Sequence, residues 1–556
     1  MVFFSFLFYC AVWIGVWGLV ASLPQPNVIL ILVDDLGYKD LGIQGSEDVK
    51  SPNIDKLATD GVRFTDGYAP HHFCGPSRSG LLSGIGPFRY GASLNAPKSY
   101  WDKTIGLPLD LEIMPETVKK AGYRTYCIGK WHLGHTAGHH PKNRGFDKFF
   151  GFLKGSWNYK VSKMYDPQLK DYDYIYREFN KVNNISYVTD DFTDAALAYI
   201  NNAKRKKQPF FMYLSYNAPH GPFLTLKEDL DPNVPEDRRT HVAMIKSLDR
   251  GVGKIRNYLI EQGMEKDTVF FFSNDNGGHK KGAINDPLNN YKGSYREGGM
   301  RVPWFMTWPG TIAQGQVVSK IVSHLDIYPT LESLAQVPAE HRNPDLEGKN
   351  ILPYIKFVGQ DAPEKNGEIH PYLAFGGPHK DGTDRGMIRS GMWKLIVNNA
   401  TESRIQLYNL MDDIGESTNI ANEHPNRVES MLRTWNTWNV RNVPPSYPKT
   451  REPSPLRLEL SVVGDVRETT TGSPVSFEAS GTHKDGGVIK YLWEAFIPSQ
   501  VDKALFRDVW RGGVESTSRE ESSITITFKD PGSYTVRVNV ETERWVEWED
   551  VEINVT

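Results

Sequence analysis

Cysteine is nearly absent from this chain, with only Cys10, Cys74 and Cys127 in 556 residues. Cys10 lies in an apolar leader, so an exported form keeps two cysteines, forms one disulfide at most, and is no disulfide scaffold. An excess of one charge is missing too. Lys and Arg number 64 against 67 acids, a formal net charge of −3. That excludes a general basic field for nucleic acid, and any anionic ligand has to be held by a few local cations. After the first twenty residues no apolar run is long enough to span a bilayer, and there is no internal repeat or low-complexity tract. What remains is the balance of a soluble globular protein, 39% hydrophobic and 24% charged, at a length that implies two or more domains.

The leader stands apart. Residues 2–20, "VFFSFLFYCAVWIGVWGLV", carry no charge, and the small residues of "ASLPQP" follow. We read residues 1–22 as a secretory signal cut near Ala21 or Ser22, which makes the protein secreted, periplasmic or extracellular, with no stable membrane span after cleavage. No Lys or Arg precedes the apolar run, and its length also permits an uncleaved anchor.

Three apolar, β-branched or aromatic runs end in polar residues: "NVILILVDD" (27–35), "FFMYLSYNAPH" (210–220) and "DTVFFFSNDNGG" (267–278). Such runs are buried parallel strands that deliver side chains at their carboxyl ends. Helical stretches lie between them, "SPNIDKLATDG" (51–61) and "HVAMIKSLDRGVGKIRNYLIEQG" (241–263), the latter closed by glycine. The expected fold is α/β, with a mainly parallel central sheet flanked by helices over residues 23–340 and ligands gathered beyond the strand ends. Residues 341–442 read as a smaller α+β subdomain, with an antiparallel hairpin at "RGMIRSGMWKLIVNN" and a closing helix at "HPNRVESMLRTWNTW". Residues 443–455 hold five prolines and read as a linker. Residues 456–556 alternate in short runs, as in an all-β sandwich.

The stretch "HHFCGPSRSGLLSG" (71–84) places Cys74 at or just before a helix N-terminus, with Pro76 suited to the first turn. Backbone N–H groups and the helix dipole favour negative charge there, and Arg78 can point back at the same spot, so a thiol in that place is expected to be acidified. An ordinary helix start with a surface arginine would share the local pattern. Cys127, inside "YRTYCIG", reads as a small buried apolar residue.

"CGPSRSGLLSG" resembles the signature of the type I sulfatases, whose cysteine is oxidised to formylglycine (3-oxoalanine) by a formylglycine-generating or anaerobic maturation enzyme. "VDDLGYKDLG" resembles that family's first metal motif, with Asp34 and Asp35 as ligands, although Lys39 stands where glycine is commoner. "GKWHLG" supplies Lys130 and His132, "NAPHGP" supplies His220, "NDNGG" supplies Asp275 and Asn276, and "YKGSYREGGMRVP" supplies Lys292. The resemblance implies an alkaline-phosphatase-like fold and one metal ion, held by Asp34, Asp35, Asp275, Asn276 and the modified Cys74. The all-oxygen protein set suits Ca²⁺, with Mg²⁺ second, better than Zn²⁺.

The resemblance also implies a mechanism. The hydrated aldehyde of Cys74, against the metal and Arg78, attacks the sulfur of a sulfate ester. Lys292 and His220 grip the sulfate, and His220 protonates the leaving alcohol. A second hydroxyl, deprotonated by His132 and steadied by Lys130, then expels sulfate from the sulfo-enzyme. The expected substrate is a sulfated polysaccharide or oligosaccharide, algal or animal. "FEASGTHKDGGVIKYLWEAF" and "KDPGSYTVRVNVE" are similar to polycystic-kidney-disease-like sandwich domains, either a spacer or a glycan binder. Arg89, Tyr90, Trp157 and Tyr159 are candidates to contact sugars. His71, His72 and "GHTAGHH" (134–140) receive no catalytic role, and Asn184, Asn399 and Asn554 fit glycosylation sequons. Two other readings stay open: a phosphonate or phosphodiester hydrolase on the same fold, and an inactive extracellular glycan-binding protein.

Overall fold

The computed structural model describes residues 24–96, 104–159, 174–182, 185–399 and 404–446, and beyond them the strand segments between residues 456 and 555. The leader, Cys10, Asn184 and residues 447–455 of the proline-rich stretch lie outside the described residues. The chain forms two compact units, a larger one within residues 1–447 and one formed mainly by residues 448–556.

The larger unit contains strands β1 (Asn27–Val33), β2 (Val62–Tyr68), β3 (Arg124–Lys130), β4 (Lys148–Phe152), β5 (Ile175–Arg177), β6 (Asn180–Val182), β7 (Phe210–Ser215), β8 (Thr268–Asn274), β9 (Trp304–Thr307) and β10 (Gln316–Ser323). They form one sheet in the order β10-β2-β9-β8-β1-β7-β3-β4-β5-β6. Its middle, β8-β1-β7-β3-β4, is parallel, and so is the β10–β2 pair. β9 is inserted antiparallel between β2 and β8, and β5 and β6 run antiparallel at the other edge.

Every residue of β1 is buried, and its side chains feed two separate cores. Ile29, Ile31 and Val33 enter one, while Val28, Leu30 and Leu32 enter the other. A strand that buries both faces needs helices on both sides, which is why these runs are continuously apolar rather than alternating. The helices are α1 (Pro52–Thr59), α2 (Cys74–Ser83), α3 (Met114–Lys120), α4 (Val188–Lys206), α5 (Glu236–Glu261), α6 (Glu297–Met300) and α7 (Ile327–Leu334). α1, α4 and α5 cover the first core, and α2, α3 and α7 cover the second. No helix among the described residues is long and apolar enough to cross a membrane.

A four-stranded antiparallel sheet follows in the same unit: β11 (Leu373–Pro378), β12 (Asp384–Ser390), β13 (Trp393–Asn398) and β14 (Ile405–Asn409). β12 and β13 are the hairpin around Ser390 and Gly391, and α8 (Pro425–Asn439) packs Met431 and Trp435 against the sheet. The second unit holds two four-stranded sheets, and Val475, Phe477, Val536 and Ile553 are buried there.

Candidate active site

Register brings the strand ends together. Leu32 of β1 lies beside Ser215 of β7 and Ser273 of β8, and Gly129 of β3 also pairs with Ser215. The residues just after these strands therefore emerge at one sheet edge: Asp34 and Asp35, Asp275 and Asn276, the 217–220 turn, and His132 beyond Lys130. Asp35 and His132 both adopt left-handed backbone conformations, φ 65 and 61, a constraint that non-glycine residues accept when the surroundings over-determine it.

The loop after β1 is fastened from several sides. The Asp40 carboxylate accepts from Gly37 N–H at 2.9 Å and faces His241 Nε2 at 2.9 Å and the Arg238 guanidinium at 3.1 Å. Asn285 Oδ1 accepts from the N–H groups of Tyr38 and Gly278, both at 3.1 Å, and so ties the two metal-motif loops together. A Cβ on Gly277 would fall 1.8 Å from the Gly298 carbonyl oxygen, so only glycine permits this approach of backbones.

α2 opens at Cys74, as its sequence implies, with Phe73 as N-cap, and Gly75 N–H donates to Asn95 Oδ1 at 3.0 Å. All ten residues of α2 are buried. Cys74 Sγ lies 3.7 Å from Asp34 Oδ1 and accepts from Lys292 Nζ at 2.9 Å. Lys292 also reaches Asp35 at 2.7 Å, and Lys130 Nζ donates to Asp34 at 2.6 Å. Arg78 donates through Nε to Asp275 at 2.9 Å and through Nη1 to the Lys130 carbonyl at 3.1 Å, stands 3.6 Å from Asp34, and is held further by Tyr213 and Ser215. His220 Nδ1 donates to the Gly221 carbonyl at 2.6 Å, which leaves Nε2 facing Asp35 at 3.6 Å. The His132 ring packs on Gly155, and its carbonyl oxygen lies beside Gly75. Asp34, Asp35, Cys74 and His220 present ligand atoms all within 4.8 Å of one another.

Burial governs the titration here, and the neighbours decide its direction. Burial alone would raise Asp34 and Asp35. Lys130, His220 and Arg78 overrule it for Asp34, and Lys292 and His220 for Asp35, so both carboxyls lie below their usual range. Burial would lower Arg78, but Asp275 and Asp34 hold its guanidinium above the usual arginine range. Lys292 is raised in the same sense, against burial, by Cys74, Asp35 and Asp34. Cys74 departs from the sequence expectation. Burial outweighs Lys130 and Lys292 and pushes the thiol up to about 12, so it is not acidified. A helix N-terminus lowers a thiol pKa only where the thiolate keeps some solvation, and Cys74 is 2% exposed.

Nine of the ten residues singled out in the sequence are in contact at this edge, and His132 follows two residues after Lys130. Of the four sugar-contact candidates, Trp157 and Tyr159 turn inward, while Arg89 and Tyr90 are half-buried. Tyr159 is fully buried and Trp157 stacks on Phe152. Tyr90 bonds to Ser79 and Ser83, and Arg89 to Glu347, Asn442 and the Trp438 carbonyl. His71 and His72 are buried with ring centroids 4.4 Å apart, Cys127 is wholly buried, and Asn399 is exposed. The sequence reading missed the groups that hold the site residues: Tyr213 and Ser215 behind Arg78, Asn285 between the loops, and the true role of Tyr159. The Tyr159 hydroxyl bonds the Asn217 carbonyl and, at 2.8 Å, the His220 carbonyl, so it fixes the turn that carries His220. Tyr159→Phe is expected to lower kcat about tenfold, the cost of a loosened turn near reacting atoms, while KM for a small substrate changes little. Steady-state kinetics check this, and an unchanged kcat would refute it.

Residues 26–337 match the Sulfatase family model, residues 292–435 the model described as N-sulphoglucosamine sulphohydrolase, C-terminal, and residues 459–555 the PKD domain model. The chain is 36% identical over 355 residues to the N-acetylgalactosamine-6-sulfatase of Rattus norvegicus, covering 60% of this chain and 67% of that protein. It is 30% identical over 489 residues to Arylsulfatase J of Mus musculus, covering 80% and 81%. Among solved structures, Ps i-CgsB in complex with k-i-k-neocarrahexaose aligns with TM-score 0.69 and 37% identity, over 76% of this chain and 95% of that one. Sheet, strand-end site and matches together define a sulfuric-ester hydrolase of the alkaline-phosphatase superfamily. The chain belongs to the sulfatase family, with a PKD-type domain at its C-terminal end.

Proposed function

We propose that this protein is an exported, formylglycine-dependent sulfatase that removes sulfate from a sulfated polysaccharide or its oligosaccharides. One observation carries the reading: three carboxylates and three buried or part-buried cations converge on the Cys74 side chain at a common sheet edge. Such a set is charge-balanced, so a divalent cation leaves it doubly positive and complementary to a sulfate monoester anion. The thiol stands where formylglycine would stand, and Sγ marks the place of one hydroxyl on the hydrated aldehyde.

The residues fit a hard cation. Asp275 Oδ1 and Asn276 Oδ1 are buried oxygens with no hydrogen-bond partner, and Asn276 Nδ2 donates to Asp35 at 2.7 Å, which leaves its oxygen available as a ligand. Asp34, Asp35, Asp275 and Asn276 would hold Ca²⁺, which supplies charge stabilisation on the sulfate oxygens. Lys292 and Arg78 keep their charges and fix the nucleophilic side chain against Asp34. His220 Nε2 is the atom that hands a proton to the departing alcohol. His132 removes a proton from the residual hydroxyl, with Lys130 beside it, and so opens the exit for sulfate.

A maturation enzyme is the implied partner, and the substrate panel begins with k-i-k-neocarrahexaose and N-acetylgalactosamine 6-sulfate, drawn from the relatives. Protein co-produced with a maturation enzyme is expected to hydrolyse an aryl sulfate, and the Cys74 peptide to carry an aldehyde by mass spectrometry. A thiol in active protein would sink the reading. Phosphodiester turnover above sulfate-ester turnover would favour the rival chemistry. Chelation by EGTA is expected to remove activity and Ca²⁺ to restore it; full activity in EGTA would exclude the metal assignment.

A further inference from the structure

A cavity of about 670 Å³ opens just beyond the other end of α2, where Gly86 forms part of its wall. α2 has ten residues, so at 1.5 Å per residue the cavity lies about 15 Å along the helix from Cys74. It sits at the seam between the large sheet's helices and the antiparallel sheet with α8, and its volume falls in the range of about 300–1,000 Å³ typical of ligand sites.

Its walls combine aromatic faces with cations. Tyr372 is 37% exposed, and Trp438 is half-buried with the Arg89 guanidinium 4.6 Å from its ring centroid. Glu347 is already satisfied, by Arg89 Nε at 2.7 Å and the Gly86 N–H at 3.0 Å. Arg441, 68% exposed, stands 3.7 Å from Glu347 at the rim, and Lys349 also lines the cavity, exposed. Arg89, Lys349 and Arg441 stand in the lining against Asp345 and Glu347, with His370 beside them, a local positive excess on a chain that is negative as a whole.

We propose that this cavity is a second, non-catalytic binding site for a sulfated saccharide, in which Tyr372 and Trp438 meet sugar C–H faces and Lys349 and Arg441 bind sulfate oxygens. The choice of ligand class rests on the reading of the enzyme as one acting on sulfated carbohydrate. Aromatic rings present large rigid apolar faces, and a guanidinium bonds an oxyanion through two N–H groups at once. A polymer held here is presented to the catalytic edge at a raised effective concentration, without any new contact at the reacting sulfate.

The test is calorimetric titration of the full chain with sucrose octasulfate, alongside sucrose and sodium sulfate. Wild type is expected to bind sucrose octasulfate at a site that Lys349→Glu/Arg441→Glu removes, and Tyr372→Ala to weaken that site about tenfold, with both controls bound far more weakly. The double variant is also expected to raise KM for a sulfated polysaccharide and to leave aryl sulfate kinetics unchanged. Sucrose octasulfate binding that is identical in wild type and double variant overturns the proposal, as does equal affinity for sucrose or sodium sulfate. Aryl sulfate turnover by the same wild-type preparation tests the catalytic reading separately. Its absence would sink that reading while the binding comparison still decides the cavity.

Discussion

Cys74→Ala is expected to lower kcat/KM for sulfate esters by about 10⁴-fold or more, the scale on which a covalent nucleophile acts. The fold should survive. The side chain is small and has Lys292 at 2.9 Å and Asp34 at 3.7 Å as polar neighbours, so its truncation costs about 1 kcal/mol. Cys74→Ser separates nucleophilicity from turnover. A serine hydroxyl has one oxygen, so once sulfated it lacks the second hydroxyl through which His132 could release the sulfate. The expected result is one stoichiometric burst with sulfate retained on the peptide of residues 74–78. Kinetics and mass spectrometry of that peptide check it, and multiple turnover by the serine variant would refute the proposed exit route.

Lys394→Met is expected to destabilise the larger unit by about 3–5 kcal/mol, the cost of leaving buried carboxylates without their cation. Lys394 is fully buried and bridges Glu297 at 2.7 Å and Glu416 at 2.9 Å. Glu297 also meets Arg301 at 3.2 Å, Arg389 at 3.7 Å and the Tyr68 hydroxyl at 2.7 Å, and Arg389 continues to Asp66 at 2.5 Å. This network joins α6, five residues beyond Lys292, to the antiparallel sheet. Burial would raise Glu297, yet Lys394, Arg389 and Arg301 hold it at about 2, below its ordinary 4.5. Its contribution is therefore present above about pH 4.5 and lost as pH falls toward 2. Glu416 runs the other way: burial raises it, against Lys394, so its bound proton stabilises the fold and that contribution is lost as pH rises through the folded value. Without Lys394, Glu416 rises further, while Glu297 keeps its arginines. The deficit of the variant should then shrink between about pH 8 and pH 5, as Glu416 takes up its proton. Thermal unfolding at both pH values checks this, and equal deficits would refute it.

Strand-end motifs were legible because they are contiguous. "NVILILVDD" and "DTVFFFSNDNGG" each state a buried strand and its delivered side chains within a dozen residues. The antiparallel insertion of β9 was not legible, since "WFMT" reads as any short apolar strand and its neighbours, β2 and β8, are distant in the chain. Tyr159 and Trp157 looked like sugar contacts because exposed aromatics and core aromatics have the same residue types. Lys394 appeared only as part of "WKLI", with nothing local to mark its two acids.

By itself, then, the sequence determined the alternation of strand and helix, the sandwich at the end, and the acids, lysines and histidines gathered at the strand ends, all encoded in short segments whose periodicity or motif is local. Only the tertiary structure decided that the Cys74 thiol is raised rather than acidified, that Trp157 and Tyr159 are internal supports, and that Lys394 bridges two buried acids. Each of those depends on burial and on charges brought from far along the chain, and neither desolvation nor a long-range ion pair leaves a trace in the residues on either side.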